Sequence, residues 1–509
     1  MKFLKLVFNR VILVLLALLV EIGFIFISLY EINNTRAIRI IATIIGVLVY
    51  LHLLNKRQNP EFKIPWLIAF SVFPVFAFVL YILISNNRPN RKQRKMFAKI
   101  NAEKKKYLIK QNEEHEQVQE NLSESQLAIE EYLENTTNMP GTMGNKTTFF
   151  NVGEKFFDAL LSDLKNAKSF IFMEYFIIDS GYMWDEIHKV LVEKVQEGVE
   201  VRIMYDDIGT ATKISRKFHK NLRKEGIACC KFNPFVPIIS GIHNNRDHRK
   251  ITVIDGQIGY TGGINIADEY INKKQPFGHW KDSGVKIEGP AVKNFTLLFL
   301  EMFDVSQNKL SDYKKYVNIP YKHFEDGGFV LPFGCGPSPY DKEQVGENNF
   351  INMIASAKHS IYITTPYLIV DNNLTMTLRN AALKGVDVRI VTPHIPDKKI
   401  VFGMTRSSYK YLMEAGVKIY EYTPGFIHSK QMLVDETIAF VGTINYDYRS
   451  LIHHYECGAV VIDNNCSQSI KKDFINLFKK SNKQSLETLK ISKFTQFINS
   501  ILSMFRPLF

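Results

Sequence analysis

The sequence contains few cysteines, and none of them has the spacing of a metal or redox motif. Its five cysteines are scattered along the chain: Cys229, Cys230, Cys335, Cys457 and Cys466. No Cys-x-x-Cys pair occurs, which argues against a structural zinc site, and the odd number argues against a disulfide framework. The soluble part of the chain is therefore expected in a reducing compartment.

Acidic residues are also in short supply relative to basic ones. The 509 residues include 64 Lys and Arg against 51 Asp and Glu, which gives a formal net charge of +13. This balance predicts a polyanionic partner, which could be anionic lipid, nucleic acid or a phosphate-bearing substrate. The length and the 46% hydrophobic content are sufficient for two to three domains.

The first 86 residues have long runs almost without charge. Residues 11–30 are apolar except for Glu21, and further apolar runs cover residues 40–54 and 65–85. Twenty helical residues span a hydrocarbon core of roughly 30 Å, so we predict a transmembrane region over residues 1–86 with two or three helices. The alternatives are a cleaved signal peptide, disfavoured because no Ala-x-Ala-like site follows, and buried soluble helices.

A charged linker is predicted over residues 87–143. Residues 88–110 carry ten Lys or Arg and one acid, Glu103, which places this end on the cytoplasmic side by the positive-inside rule. Residues 111–134 turn acidic and rich in Gln, and we interpret them as a solvated helix or spacer. The prediction is thus a multi-pass protein of the cell membrane with its catalytic body in the cytoplasm.

The remainder indicates a duplicated α/β body, with lobes at residues 144–330 and 331–485. The run "AKSFIFMEYFIID" resembles "AKHSIYITTPYLIVD", and each is followed by a helix-like stretch and a second strand, "GVEVRIMYDD" or "GVDVRIVTPH". Strand, helix and strand in succession form a βαβ unit, so a largely parallel sheet is expected. Residues 486–509 are predicted to form an amphipathic segment, which either docks on the body or lies on a bilayer.

A chemical motif occurs once in each lobe at identical spacing. In each copy, four further residues follow the histidine at offsets +2, +7, +14 and +17. After His248 these residues are Lys250, Asp255, Gly262 and Asn265, and after His428 they are Lys430, Asp435, Gly442 and Asn445. In a strand, positions i and i+2 face the same way, so each copy presents an imidazole beside an ammonium. One copy alone would fit a basic edge strand or a passive anion site.

Two copies favour one composite site where the lobes meet. The lysines and the amides of Asn265 and Asn445 would bind phosphate oxygens, one histidine would attack phosphorus, and the other would serve as acid and base. The lysines supply the positive charge, so no metal and no cofactor are expected. Asp255 either forms the following turn or supports the site, and spacing alone leaves both interpretations open.

This pattern, H-x-K-x4-D twice with G-G-x-N and G-T-x-N, resembles the phospholipase D superfamily. The resemblance implies a phosphohistidine intermediate and α/β/α lobes with the site at their interface. It also implies that six residues are catalytic: His248, Lys250, Asp255, His428, Lys430 and Asp435. The closer similarity is to the bacterial cardiolipin synthases, through "NNRDHRKITVIDGQIGYTGGIN", "HWKDSGVKIEGPAV" and "GTINYDYRS". Lys281 and Tyr446 depart from that family's usual Arg and Met.

Aligning "KDSGVKI" with "YECGAVV" places Asp282 opposite Glu456. The resemblance implies that an acid here orients an imidazole, whereas the alternative is an acid at a strand edge. Glu174 matches a common family position without an assigned role.

The resemblance implies a membrane-bound phosphatidyltransferase that converts two phosphatidylglycerol molecules into cardiolipin and glycerol, with His248 as the nucleophile. Phosphatidylglycerol and the anionic bilayer surface are its expected partners, and nucleic acid is not. The alternatives are another phospholipase D-type transferase or hydrolase, or a non-catalytic protein that binds anionic lipid. The acceptor alcohol and the oligomeric state stay open.

Overall fold

The computed structural model describes residues 10–29, 36–56, 59–85, 89–108, 112–235, 241–338, 340–487, 489 and 506. The chain divides into two compact units. One comprises Met1–Arg88, Phe235–Asn245 and Lys493–Phe509, and the other comprises Pro89–Pro234 and Arg246–Ser492. The amphipathic segment predicted for the C-terminus lies almost entirely outside the described residues.

The smaller unit is built from apolar helices. Its α-helices are α1 (Arg10–Leu29), α2 (Arg36–Asn55), α3 (Pro60–Val72) and α4 (Pro74–Ile84), and a 3-10 turn covers Gly241–Asn244. Glu21, the one charged residue of the first apolar run, accepts hydrogen bonds from the backbone N–H groups of Val75 and Phe76 at 2.8 and 2.9 Å. These N–H groups begin α4 and have no partner within the helix, so the carboxylate satisfies them.

Across the described residues, no helix combines the length and the apolar character that crossing a membrane requires. The two or three transmembrane helices predicted over residues 1–86 are therefore not found in that part of the chain.

The charged segment before the body is folded and packed. It forms α5 (Arg91–Lys104), α6 (Asn112–Asn121) and α7 (Glu124–Thr137). Phe97 and Ile100 of α5 lie in the core of the larger unit, and Ile129 and Leu133 of α7 are 2% and 0% exposed. The part expected to be a solvated spacer thus contributes apolar side chains to the body.

The first half of the body alternates strands and helices before it returns through hairpins. Its elements are β1 (Thr142–Phe150), α8 (Gly153–Lys165), β2 (Phe170–Tyr175), α9 (Tyr182–Gln196), β3 (Glu200–Asp206), α10 (Phe218–Lys224), β4 (Ala228–Phe232), β5 (Lys250–Ile254), β6 (Ile258–Gly262), β7 (His279–Lys281), β8 (Gly284–Glu288), α11 (Val292–Gln307) and α12 (Tyr313–Val317). All six residues of β2 are buried, as expected for a strand covered on both faces.

The second half repeats this order. Its elements are β9 (Gly328–Cys335), α13 (Val345–Ser356), β10 (Ser360–Thr364), β11 (Leu368–Ile369), α14 (Asn372–Leu383), β12 (Asp387–Pro393), α15 (Lys399–Met413), β13 (Lys418–Tyr422), β14 (Gly425–Ile427), β15 (Gln431–Val434), β16 (Ile438–Gly442), β17 (Tyr446–Asp447), a π-helix (Arg449–His453), β18 (Glu456–Ile462), α16 (Asn464–Lys479) and β19 (Ser481–Lys483). Strand β9 begins three residues before the predicted lobe boundary.

One 15-stranded sheet joins the halves through the pair β1–β9. Outward from this pair the order is β1-β8-β6-β5-β2-β3-β4 on one side and β9-β18-β16-β15-β10-β12-β13 on the other, with β19 added at the edge. The two orders correspond strand for strand, so the described body has an internal two-fold repeat, as the matched spacing predicts.

The prediction of a largely parallel sheet is wrong. Within the sheet of the described residues, only β2–β3, β3–β4, β10–β12 and β12–β13 pair in parallel. The crossover helices account for these pairs, because parallel neighbours need a long connection. The strands that follow the two histidines return through tight turns, and tight turns make neighbours antiparallel.

A buried ion pair links the two halves beside the site. The Nζ of Lys281, at the end of β7, lies 2.9 Å from the Oδ2 of Asp473 in α16, and each side chain is 4% exposed. Gln431 also donates to this carboxylate, at 3.0 Å. The lysine that replaces the usual arginine is therefore fully engaged across the interface.

Replacing Lys281 with Met is expected to destabilise the fold by about 3–5 kcal/mol, because Asp473 is left as a buried charge without its cation. Lys315→Met is the matched control: its partner Glu200 lies at 2.6 Å, but both groups are partly exposed, so a loss of about 0–1 kcal/mol is expected. Chemical denaturation would measure both. Equal losses in the two variants would contradict the assigned importance of burial.

Candidate active site

Backbone pairing between the halves brings His248 to Glu456. Asp247 forms a parallel bridge with Tyr455, and the N–H of His248 donates to the carbonyl of Tyr455 at 2.9 Å. The N–H of Tyr455 in turn donates to the carbonyl of Arg246 at 2.8 Å. This short ladder fixes a histidine of the first half beside an acid of the second.

The same arrangement occurs in the opposite direction at His428. Strand β7 pairs in parallel with β14, and the N–H of His428 donates to the carbonyl of Lys281 at 2.7 Å. Since Asp282 follows Lys281, this ladder places an acid of the first half beside the histidine of the second. The two histidine–acid pairs are therefore crossed between the halves.

Each imidazole uses its Nδ1 for the acid. The Nδ1 of His248 lies 2.9 Å from both carboxylate oxygens of Glu456, and that of His428 lies 2.7 Å from the Oδ2 of Asp282. An ionised carboxylate only accepts hydrogen bonds, so the contact with the acid assigns the hydrogen to Nδ1 in both rings, although the Nζ of Lys430 also lies 2.9 Å from the Nδ1 of His428. In a neutral ring, Nε2 then retains its lone pair.

Burial dominates the protonation of the site. It lowers the pKa of His248 to about 3 and that of His428 to about 4. Burial alone would raise the pKa of Glu456, but the charge of His248 brings it below the usual range. Both rings are thus neutral at neutral pH without a ligand, and the acids are ionised.

The two lysines lie beside the histidines, as their spacing predicts. The Nζ of Lys250 donates to the carbonyl of His248 at 2.6 Å, and the Nζ of Lys430 donates to the carbonyl of His428. Burial lowers the pKa of Lys250 to about 8 and that of Lys430 to about 7, while Glu456 and Asp282 oppose these shifts. Their ammonium groups therefore titrate close to neutral pH.

The structure does not bring Asp255 and Asp435 to the imidazoles. Asp255 has a positive φ of 53° in the turn after β5, about 16 Å along the strand from Lys250. Its carboxylate accepts the N–H groups of Lys168, Ser169 and Phe170 at 2.6–2.9 Å. Asp435 makes the equivalent three bonds in the second half. These contacts support the turn-forming interpretation, in which the motif acids hold the entry to β2 and β10.

The two asparagines have different surroundings. The Oδ1 of Asn265 accepts the N–H of Ile177 at 3.0 Å, and its Nδ2 donates to the hydroxyl of Tyr270 at 2.7 Å. The Oδ1 of Asn445 is buried and has no hydrogen-bond partner among the described residues. Asn265 therefore has one amide hydrogen left for a ligand.

Several side chains around the histidines were not predicted. Phe176 packs edge-on against His248 at 4.9 Å between ring centroids, and Tyr270 and Trp280 lie 5.5 and 5.4 Å from His428. These rings cover part of the imidazole surfaces, and His248 and His428 are 7% and 8% exposed. The aromatic residues were visible in the sequence, but only the fold shows which of them reach the site.

Glu456 has further donors that Asp282 lacks. The hydroxyls of Thr443 and Ser450 both donate to its carboxylate. At the position equivalent to Thr443 stands Gly263, where a Cβ would lie 2.1 Å from the Oδ1 of Asp282. The difference between "GTIN" and "GGIN" was a signal, in retrospect, that the two acids are held differently.

Glu174 and Asp247, the residue before His248, form a second pair of acids. Glu174 on β2 is 0% exposed, and its carboxyl oxygens have no hydrogen-bond partner within 3.5 Å among the described residues. Burial is the main cause that raises the pKa of Glu174 well above the usual range, and the neighbouring Asp247 adds to this shift. Burial also raises the pKa of Asp247 to about 7. Burial therefore favours the neutral form of Glu174.

Duplicated α/β halves with crossed histidine–acid pairs and paired lysines define a phospholipase D-like enzyme. The family model described as "Cardiolipin synthase, PLD-like domain" matches residues 160–293 and 350–478. The chain belongs to this cardiolipin synthase family of the phospholipase D superfamily.

Relatives agree along most of the chain. A cardiolipin synthase of Geobacillus sp. (strain WCH70) is 34% identical over 86% of this chain and 86% of its own length. Cardiolipin synthase 2 of Bacillus anthracis is 35% identical over 85% and 83%. An uncharacterized protein of Streptococcus mutans is 39% identical over 90% and 99%.

A solved structure shares the fold. The crystal structure of phosphatidylserine synthase from Haemophilus influenzae superimposes with a TM-score of 0.55 and 13% identity, covering 75% of this chain and 98% of that one.

Proposed function

We propose that this protein is a cardiolipin synthase that transfers a phosphatidyl group from one phosphatidylglycerol to another. The crossed pairing of His248 with Glu456 and of His428 with Asp282, beside two buried lysines, carries the proposal. The names of the relatives add support.

In the first step, the Nε2 of His248 attacks phosphorus, and the bond from phosphorus to the glycerol oxygen breaks. His428, which holds a second proton on Nε2 as an imidazolium once the anionic phosphodiester is bound, gives that proton to the oxygen, so glycerol leaves and a phosphatidyl group stays on His248. Lys250, Lys430 and the amides of Asn265 and Asn445 bind the oxygens on which negative charge develops.

In the second step, a hydroxyl of another phosphatidylglycerol attacks the phosphohistidine. His428 removes its proton, the P–N bond breaks, and cardiolipin leaves with both groups restored. One phosphodiester replaces another, so no nucleotide is consumed.

The unequal donors around the two acids support this order of roles. Two hydroxyls already donate to Glu456, whereas Asp282 receives the N–H of Ser283 at 2.8 Å and His428. Fewer competing donors make Asp282 the stronger acceptor for a charged imidazole. Because a bound phosphate anion also favours the imidazolium, His428 is the better acid.

Lipid analysis tests the function directly. Purified full-length protein in detergent micelles receives phosphatidylglycerol alone, and the products are separated by headgroup. Cardiolipin with one equivalent of glycerol supports the proposal. Phosphatidic acid as the sole product would indicate a hydrolase instead, and no turnover would favour a lipid-binding protein.

Because of the lowered pKa values of Lys250 and Lys430, we expect kcat/KM for phosphatidylglycerol to decrease as the pH rises through about 7 to 8. In the ligand-free enzyme the ammonium groups lose their protons in this range, and the uncharged amines no longer attract the phosphodiester. The decrease in kcat should begin at higher pH, because bound phosphate stabilises the ammonium form. Initial rates between pH 6 and 9.5 would test this, and a kcat/KM that stays constant to pH 9 would contradict it.

The substrate requires a membrane location, and the smaller unit offers an apolar surface for one. Leu19, Leu48 and Ile82 are 63%, 60% and 58% exposed, and many neighbouring apolar side chains are exposed as well. Apolar patches of this kind mark interaction surfaces. The proposal therefore includes attachment of residues 1–86 to the cell membrane, with the catalytic body in the cytoplasm.

Changing Leu19, Leu48 and Ile82 together to Asp is expected to shift the protein from the membrane fraction of cells to the soluble fraction, since charges oppose burial in lipid. Leu383→Asp is the control, because Leu383 is 66% exposed on the larger unit. Quantitative blotting of the fractions gives the result. Equal distributions of both variants would contradict the attachment surface.

A further inference from the structure

One cluster in the described part of the chain has the composition and spacing of a metal site. Its members are His248, His454 and Glu456, and one ligand atom of each lies within 4.8 Å of the others. Two of them belong to the proposed catalytic pair, whereas His454 has no role in the transfer.

His454 follows the π-helix and faces the same carboxylate as His248. Its Nδ1 lies 3.6 Å from the Oε1 of Glu456 and makes no hydrogen bond among the described residues. Its ring centroid is 5.4 Å from that of His248, and its side chain is 13% exposed. A buried imidazole nitrogen is thus directed at the Glu456 carboxylate at the distance of an ion pair.

These distances fit a tetrahedral cation. Bonds of about 2.1 Å separate neighbouring ligands by about 3.4 Å, and two His nitrogens with one carboxylate are a common ligand set for zinc. The separations from Glu456 are 2.9 Å to His248 and 3.6 Å to His454, on either side of that value. The carboxylates of Glu456 and Asp447 favour a cation here, and the ammonium groups of Lys250 and Lys430 oppose one.

We propose that His248, His454 and Glu456 form an inhibitory site for a single divalent cation of the zinc type. A cation on the Nδ1 of His248 replaces the hydrogen directed at Glu456. The single hydrogen of the neutral ring then resides on Nε2, which has no lone pair left for attack on phosphorus. The inhibition rests on the function proposed above, whereas cation binding does not.

Cobalt and zinc titrations test the site. Full-length protein in detergent is first freed of metal with a chelator. Co²⁺ is followed by its visible absorption, which reports tetrahedral coordination, and Zn²⁺ by calorimetry. One equivalent is expected to bind, and His454→Asn should weaken binding by at least the roughly tenfold that even outer-shell changes cost.

His188→Asn is the matched control, because His188 pairs with Glu225 at 2.6 Å on the surface, where the structure shows no third ligand among its described residues. It should leave binding unchanged. If His454→Asn does not fold, His454→Gln and the zinc-dependent rise in the Tm of the wild-type protein replace it. The inference is overturned if the wild-type protein binds no Co²⁺, or if both His454 and His188 variants bind it equally.

Transfer assays separate the two proposals. Both proposals are supported if the chelator-treated protein forms cardiolipin and Zn²⁺ inhibits this transfer. Zn²⁺ should also inhibit His454→Asn less strongly, measured against the metal-free rate of that variant. Transfer that Zn²⁺ does not inhibit overturns the inhibitory site and leaves the function intact. Tetrahedral Co²⁺ without any transfer overturns the function and leaves the cation site.

Discussion

Replacing His248 or His428 with alanine is expected to reduce phosphatidyl transfer by about 10⁴-fold or more. The first change removes the nucleophile, and the second removes the group that protonates the leaving glycerol. Because the residues act as a unit, the double variant should lose little more activity than either single one. Cardiolipin formation from phosphatidylglycerol in micelles measures all three.

His188→Ala is the control for a lost imidazole, because its partner Glu225 is a surface residue, and it should retain wild-type activity. Near wild-type transfer by either catalytic variant would exclude the two-histidine mechanism. The order of roles is tested by quenching the reaction with substrate labelled at phosphorus. Label on His248 supports the assignment, and label on His428 alone would reverse it.

The sequence predicted which side chains meet in the site better than it predicted the contacts that hold them there. Equal spacing after His248 and His428 indicated a duplicated site, and the resemblance implied that Asp282 and Glu456 orient the imidazoles, with acids at a strand edge as the alternative. The crossing of the pairs depends on parallel bridges such as Asp247–Tyr455. This bridge and the β7–β14 pairing join residues 208 and 146 positions apart, and no local pattern records them.

Local patterns failed where tertiary contacts decide. The βαβ units were identified correctly, but periodicity does not give the direction of the strands that return through hairpins. The prediction therefore overestimated the number of parallel strand pairs in the sheet. The basic composition of residues 91–104 obscured an apolar face with Phe97 and Ile100. The turn role of Asp255 was one of two open interpretations, and its three backbone hydrogen bonds now support it.

Replacing Asp282 with Asn is expected to lower kcat by about 10³–10⁴-fold while the fold is retained. The amide nitrogen of Asn can donate to the Nδ1 of His428, which moves the ring hydrogen to Nε2 and removes the lone pair needed to accept the proton of the acceptor hydroxyl. It also removes the charge that stabilises the imidazolium. Measured in micelles, kcat should therefore decrease far more than the affinity for phosphatidylglycerol.

The matched control is Glu174→Gln, another buried acid changed to its amide. Burial favours the neutral form of Glu174, which its amide matches in charge and nearly in shape, so activity within about tenfold of wild type is expected. If the acids served only to fill the core, Asp282→Asn and Glu174→Gln would lose similar activity in proportion to their loss of Tm. A large loss in Asp282→Asn at unchanged Tm would instead identify Asp282 as the group that sets the tautomer of His428.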